Sequence, residues 1–334
     1  MIHGDLITNR SGSVEDSFDP ALGARLFKTL LLIRRTEERI AAVYPTDCIK
    51  SPVHLSIGQE AVAVGVCDAL SRTDVVAMSY RGHAVYLAKG GDLRKMIAEL
   101  YGKVTGCARG KGGSMHLVAP EVGVLGASAV VATQIPIATG WALAAKKRAA
   151  GQVVACFFGD GATEEGCMAE SLNFAALHHL PILFICENNG YAIHEPLAKR
   201  WATTRLCERV ATYGIATHRI EDQDVFAIRN AAQGALASIR EGVGPAFIEC
   251  LTYRWREHVG PSEDYESGYR GAEELHPWRA SDQVERLARM LPDDWVHRIS
   301  QDVAAQIDDA FNFAVAGDPP DADELWRHVY ASRV

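Results

Sequence analysis

The sequence predicts an α/β protein built on a doubly wound, mostly parallel sheet with helices on both faces and helical N- and C-terminal extensions. Three observations carry that expectation. Val153–Phe158 and Ile182–Cys186 are unbroken apolar runs, the pattern of strands buried on both faces. Between them Ala162–His179 can form a helix, which gives the strand, turn, helix and strand of a βαβ unit. After Pro196 the alternation continues with helix Thr203–Tyr213, strand Ile215–Ile220, helix Val225–Glu241 and strand Ala246–Tyr253.

Composition narrows the function. The 334 residues, 48% hydrophobic with a formal net charge of −8, suit a globular chain with a large core. The negative balance argues against a nucleic-acid partner, and no apolar stretch is long enough to enter a membrane as a span. Eight scattered cysteines without a C-x-x-C pair argue against a disulfide framework or zinc site and point to a reducing cytoplasm. Residues 1–18 read as a polar arm with neither a signal-peptide core nor an Arg-rich transit character. The α/β domain is expected over 19–278 and a helical extension over 279–334.

Each element has a local cause. Asp19 before Pro20 is a helix start, and Leu22, Leu26, Leu30 and Ile33 follow at helical spacing until Pro45. A polar stretch, His54–Glu60, leads into an apolar helix over Ala61–Leu70. Val75–Met78 is a short strand that delivers Ser79, Tyr80, Arg81, Gly82 and His83 at its end. Arg81 offers a planar fork of donors suited to a diphosphate, and Tyr80 adds a hydroxyl. His83 is placed to reach a reacting carbon as a hydrogen-bond donor or acid. Asp92–Tyr101 and Gln134–Ala150 read as helices. The Gly102–Gly113 loop evokes a P-loop, but Gly112 follows Lys111 where Ser or Thr is required. Helical periodicity returns around Leu287 and Met290, breaks at Pro292 and resumes near Trp295.

The chemistry gathers where the apolar runs end. Gly159-Asp160-Gly161 closes the first run at a bend whose glycines let a diphosphate approach the backbone. Thr163 is expected to cap the following helix, whose N-terminus favours negative charge. Asp160 would repel a bare diphosphate, and a divalent cation shared by both resolves the conflict. Glu187-Asn188-Asn189 ends the second run and supplies neutral amide oxygens about thirty residues later. GDGATEEG lacks the G-x-G-x-x-G spacing of a dinucleotide site.

GDG followed at that distance by NN resembles the thiamine-diphosphate motif. Together with ENNGYAI, GKGGSMHL and HLSIGQE it resembles the α subunit of the 2-oxo-acid dehydrogenases, of pyruvate, branched-chain and acetoin types, over roughly Leu26 to Arg270. The resemblance implies thiamine diphosphate and Mg²⁺ as cofactors. It places Tyr80 and Arg81 on the phosphates, the backbone of Ala129 and Val131 on the aminopyrimidine, and Gly161 and Ala162 as backbone donors. It makes Asp160, Asn189 and the Tyr191 carbonyl the metal ligands, and His83 and His258 the catalytic residues. Ala129 stands where the family has glycine. In the loop after the last strand Arg256 replaces a histidine and Val259 the usual serine, so phosphorylation is not expected there.

The same resemblance implies an α₂β₂ assembly in which a β subunit supplies the pyrimidine-binding domain. A lipoyl acyltransferase would be the acyl acceptor and a 2-oxo acid or acetoin the substrate. HLSIGQEAVAVGVC and GGDLRKMIAELYG lean towards the acetoin and pyruvate types. Two alternatives remain at this level: a thiamine-dependent decarboxylase or carboligase without lipoyl transfer, and a noncatalytic subunit that keeps the cofactor fold.

Overall fold

The computed structural model describes residues 18–330; the polar arm expected over 1–18 lies, Phe18 apart, outside them. Helices α1 (Pro20–Val43) and α2 (Glu60–Ala69) precede strand β1 (Val75–Ser79). Then come α3 (His83–Ala88), α4 (Leu93–Leu100), β2 (Val124–Ser128), α5 (Gln134–Lys147), β3 (Val154–Gly159), α6 (Gly166–Leu177) and β4 (Ile182–Asn188). A small hairpin of β5 (Tyr191–Ala192) and β6 (Glu195–Pro196) leads to α7 (Leu197–Arg200) and α8 (Leu206–Ala211). The chain continues through β7 (Ala216–Ile220), α9 (Val225–Arg240) and β8 (Ala246–Leu251) to α10 (His276–Ala280), α11 (Gln283–Met290) and α12 (Asp293–Ala316).

Six strands form one sheet in the order β2-β1-β3-β4-β8-β7, and every neighbouring pair is parallel. All strand C-termini therefore lie at one edge, where Ser79 pairs with Ser128, Gly159 with Glu187 and Asn188 with Leu251. Strand order reverses between β1 and β3, the crevice in which open α/β sheets hold ligands. One apolar core carries α1, α2, α9 and α12, and a second carries α5, α6 and α8, so both faces are covered. That burial explains the unbroken apolar sequences of β3 and β4.

Asp19 caps α1 as expected, its Oδ1 accepting from the Ala21 amide at 2.9 Å. The α1 side chain Arg34 is buried and joins Glu60 of α2 (2.5 Å) to Asp282 at the head of α11 (3.1 Å). Helix α12 packs along α1 and α4, with Lys28 bonded to Asp302 at 2.5 Å.

Three local expectations change. Thr163 caps nothing: Asp160–Glu164 is a tight 3-10 turn, Glu165 is extended, and α6 begins only at Gly166. The Thr163 hydroxyl instead donates to the Asp160 carbonyl at 2.7 Å, so it braces the turn that presents Asp160. The helix expected over Thr203–Tyr213 shrinks to α8, and the sequence reading contained neither β2 nor α3.

Candidate active site

A cavity of about 440 Å³ opens at the C-terminal strand edge, at the reversal between β1 and β3. Tyr80, Arg81, Ala129, Val131, Asp160, Gly161, Ala162, Asn189, Tyr191 and His258 all line it. The sheet register makes this possible: the four neighbouring strands β2, β1, β3 and β4 end side by side. His54, Gln59, Met115 and Glu187 line it as well, and sequence spacing marks neither Gln59 nor Met115 as a ligand or catalytic group.

Asp160 is 1% exposed at the end of β3. Its Oδ2 pairs with the Arg200 guanidinium, which also pairs with Glu164, while its Oδ1 is buried without any hydrogen-bond partner. Burial pushes the Asp160 carboxyl pKa up, against the pull of Arg200 and the Asn189 backbone amide. Asn189 Oδ1 accepts from the Tyr191 amide at 3.1 Å, and its Nδ2 donates to Gln59 Oε1 at 2.9 Å, which fixes the amide's orientation. Among the described residues no three His, Cys, Asp or Glu side chains gather as a metal site. A cation here would be held by a mixed set of one carboxylate, one amide oxygen and backbone carbonyl. That set of hard oxygens fits Mg²⁺, and the orphaned Asp160 Oδ1 is the group that such an ion would satisfy. Gly161 is required beside it, because a Cβ there would stand 2.9 Å from the Ala192 Cβ of the hairpin.

Arg81 is 7% exposed and rigidly held, donating to the Leu55 carbonyl (2.7 Å) and the His258 carbonyl (3.1 Å). The His54 ring lies 4.5 Å from Tyr80 and 5.2 Å from His258, and His54 Nδ1 is buried with no partner. Burial first, then the charge of Arg81, lowers both His54 and His258 to about 3, so both imidazoles are neutral. Glu187, 5% exposed, is pushed up to about 7 by burial, with Arg81 pulling the other way.

His83 departs from its expected place. It is wholly buried, with Nδ1 3.1 Å from Glu37 Oε1 and Nε2 2.8 Å from Ser114 Oγ. Both ring nitrogens are engaged away from the cavity, so the residue ties α3 to α1 and to the GKGGSMHL loop. That loop wraps a carboxylate of the protein's own: buried Glu99 accepts from the amides of Ala108, Gly110, Gly112 and Gly113 at 2.7–3.1 Å. The loop amides are thus occupied by the protein's own carboxylate, and Gly106 is the glycine whose Cβ would collide with Glu99.

The loop after β8 carries His258 to the cavity and is braced from within. Asp264 receives Arg254 (3.1 Å), Arg270 (2.5 Å) and the Tyr269 hydroxyl, and Arg254 is 1% exposed.

Residues 28–322 match the family described as dehydrogenase E1 component. The chain belongs to that family. Among similar proteins, the α subunit of acetoin:2,6-dichlorophenolindophenol oxidoreductase from Bacillus subtilis (strain 168) is 36% identical over 309 residues, 92% of this chain and 93% of that one. The pyruvate dehydrogenase E1 component subunit α of Rhizobium meliloti (strain 1021) is 36% identical, covering 91% of this chain and 89% of its own. The human somatic mitochondrial pyruvate dehydrogenase E1 α subunit is 34% identical over 93% of this chain and 80% of its own. This E1 component is therefore an oxidoreductase subunit of the thiamine-dependent 2-oxo-acid dehydrogenase class, as its GDG, NN and GKGGSMHL segments indicated, and the family implies thiamine diphosphate as cofactor. No helix among the described residues is long and apolar enough to cross a membrane.

Proposed function

We propose that this chain holds the diphosphate end of thiamine diphosphate through Mg²⁺, and that it works with a β-type subunit in a pyruvate- or acetoin-type dehydrogenase. The observation that carries the reading is the buried Asp160 carboxylate with one unpaired oxygen, set in a cavity beside Arg81 and Asn189. Asp160, Asn189 and the Tyr191 carbonyl would hold the metal. Arg81 and Tyr80 would receive the phosphates, and the Gly161 and Ala162 amides would add donors. When bound, thiamine diphosphate supplies a carbanion that adds to a carbonyl and an electron sink for breaking the adjoining carbon–carbon bond.

The chain's own part is to bind, orient and handle hydrogen bonds. Neutral His54 and His258 can each donate to or accept from a substrate carbonyl or hydroxyl without adding charge to the site. Val131 and Ile193 line the cavity and are exposed, at 43% and 55%. Val130, next to Val131 in the chain, and Ile137 and Trp141 of α5 are also exposed, at 63%, 57% and 40%. An apolar rim of this kind suits coverage by the β subunit, which would bring the pyrimidine-binding domain and complete an α₂β₂ assembly. A lipoyl acyltransferase would then take the acyl group. Five of the eight free cysteines are buried, which fits a reducing, cytoplasmic setting.

The test is reconstitution with a β-type subunit of the same family, followed by reduction of dichlorophenolindophenol with pyruvate, 2-oxobutyrate or acetoin. The pair should turn over one of these in the presence of thiamine diphosphate and MgCl₂, and the single chain none. Robust turnover by the verified single chain would overturn the two-subunit reading, and turnover of none by the pair would overturn the assigned substrate class.

A further inference from the structure

The two oxygens of Asp160 have different fates. Oδ2 is taken by the Arg200 guanidinium, and Oδ1 is left without a partner at the cavity. Arg200 is the last residue of α7, forty residues along the chain, and its side chain is 8% exposed. It is held from three sides: Nε donates to the Glu195 carbonyl at 3.0 Å, and the guanidinium pairs with both Asp160 and Glu164. Glu164 is 32% exposed and closes the arrangement from the solvent side. The hairpin of β5 and β6 delivers α7 to this position, and the close approach of Ala192 to Gly161 sets how near it comes.

A carboxylate with one oxygen committed to a buried guanidinium can offer a cation only the other. The common divalent ions respond differently to that restriction. Mg²⁺ demands near-ideal octahedral geometry at short distances, whereas Ca²⁺ takes more ligands, accepts longer distances and readily uses both oxygens of a carboxylate. Resting on the metal reading given above, we infer that Arg200 sets the metal preference of this site: by claiming Oδ2 it confines Asp160 to one-oxygen ligation through Oδ1, which favours Mg²⁺ over Ca²⁺. Arg200 touches neither substrate nor cofactor in this account. It is a positioning residue acting through Asp160, and Arg is suited to the task because its planar fork can reach two carboxylates at once.

The experiment compares MgCl₂ with CaCl₂. In the assembled enzyme, quenching of tryptophan fluorescence by thiamine diphosphate is titrated with each salt, and the ratio of the two half-saturating concentrations is the readout. The ratio is chosen because loss of a positive charge alone tightens every cation, whereas release of Oδ2 favours the larger ion. For Arg200→Met the Mg²⁺ preference should fall by about tenfold, the scale of changes beside metal ligands. Arg200→Lys, which keeps the charge but loses the fork, should fall between Met and the parent. The Lys variant, whose ammonium cannot reach both carboxylates in the same fork, keeps the inference testable if the Met variant does not fold. An unchanged ratio in a folded Met or Lys variant overturns the inference and leaves the metal reading standing. Cofactor binding by the parent enzyme that needs no divalent ion overturns the metal reading itself.

Discussion

Glu249 decides which way the Asn188 amide points. The carboxylate, wholly buried in β8, accepts from Asn188 Nδ2 at 2.7 Å, so the amide oxygen faces the Gly190 N–H at 3.1 Å. This contact shapes the turn on which Asn189 and Tyr191 stand. Glu249 also receives Arg219 at 3.3 Å and the Cys207 thiol at 3.4 Å. Glu249→Leu should cost about 2 kcal/mol in urea denaturation, because several donors lose their acceptor together. It should also raise the Mg²⁺ needed for cofactor binding. Glu249→Gln keeps an acceptor for Asn188 and should restore the metal requirement even if stability recovers only in part. A Leu variant with a normal Mg²⁺ requirement would remove the positioning role.

His83 should prove structural. Its replacement by Ala deprives the buried Glu37 carboxylate of one partner and Ser114 of another, and leaves a void among α1, α3 and the glycine loop. A loss of about 3 kcal/mol is expected, as for other broken buried pairs. The kcat per folded molecule should stay near the parent value. A large fall in kcat with stability intact would return His83 to the chemistry.

Acid should destabilise the fold through His54 and His258. Burial and then the Arg81 charge hold both at about 3, against 6.5 when free. Between those values the unfolded chain binds more protons than the folded one, so stability falls as pH is lowered from 6.5 towards 3. Glu187 works in the opposite sense: raised by burial from 4.5 to about 7, it contributes stability that is present below 4.5 and lost as pH rises through 7. Converting both histidines to Gln should flatten the decline in melting temperature between pH 6.5 and 4.5, and Glu187→Gln should steepen it. Identical slopes in the double variant would mean that the two imidazoles protonate freely in the folded protein.

Asp264 should control the loop that carries His258. Two arginines and a tyrosine converge on its carboxylate. The sequence, rich in charge and containing Gly260 and Pro261, suggests a loop whose order depends on ligand and partner, whereas the structure supplies internal bracing. Trypsin should spare residues 256–268 in the parent protein and cut there in Asp264→Ala, with cofactor present in both. Equal cleavage of the two proteins would show that the bracing does not hold the loop.

What could be read beforehand divides by the range of the interactions. Strands β3 and β4 announce themselves through apolar runs, and α1 through the Asp19-Pro20 start, because burial on both faces and capping act locally. Strand β2, Val-Leu-Gly-Ala-Ser, is short and small and carries no such period, and α3 is only six residues long. The cavity was legible where its residues stand at the ends of apolar runs, as Asp160 and Asn189 do. His83, expected at the active site, lies in the core, whereas His54 faces the cavity. Which histidine is buried depends on Glu37 of α1 and Ser114 of a distant loop, partners that no spacing rule connects. Arg200 was silent for the same reason, since its meaning comes from a carboxylate forty residues upstream.

The clamp formed by Arg34 has a consequence for how the protein is made. Helix α1 leaves the ribosome well before α11 and α12, yet its guanidinium waits for Asp282, 248 residues later, and its packing on those helices waits with it. The face of α1 that packs on α11 and α12 stays uncovered until they are made. The α1 face is thus sealed only by segments far downstream of it. A release that stops short of Asp282 would leave a nascent protein whose sheet is complete and whose opening helix is still adhesive.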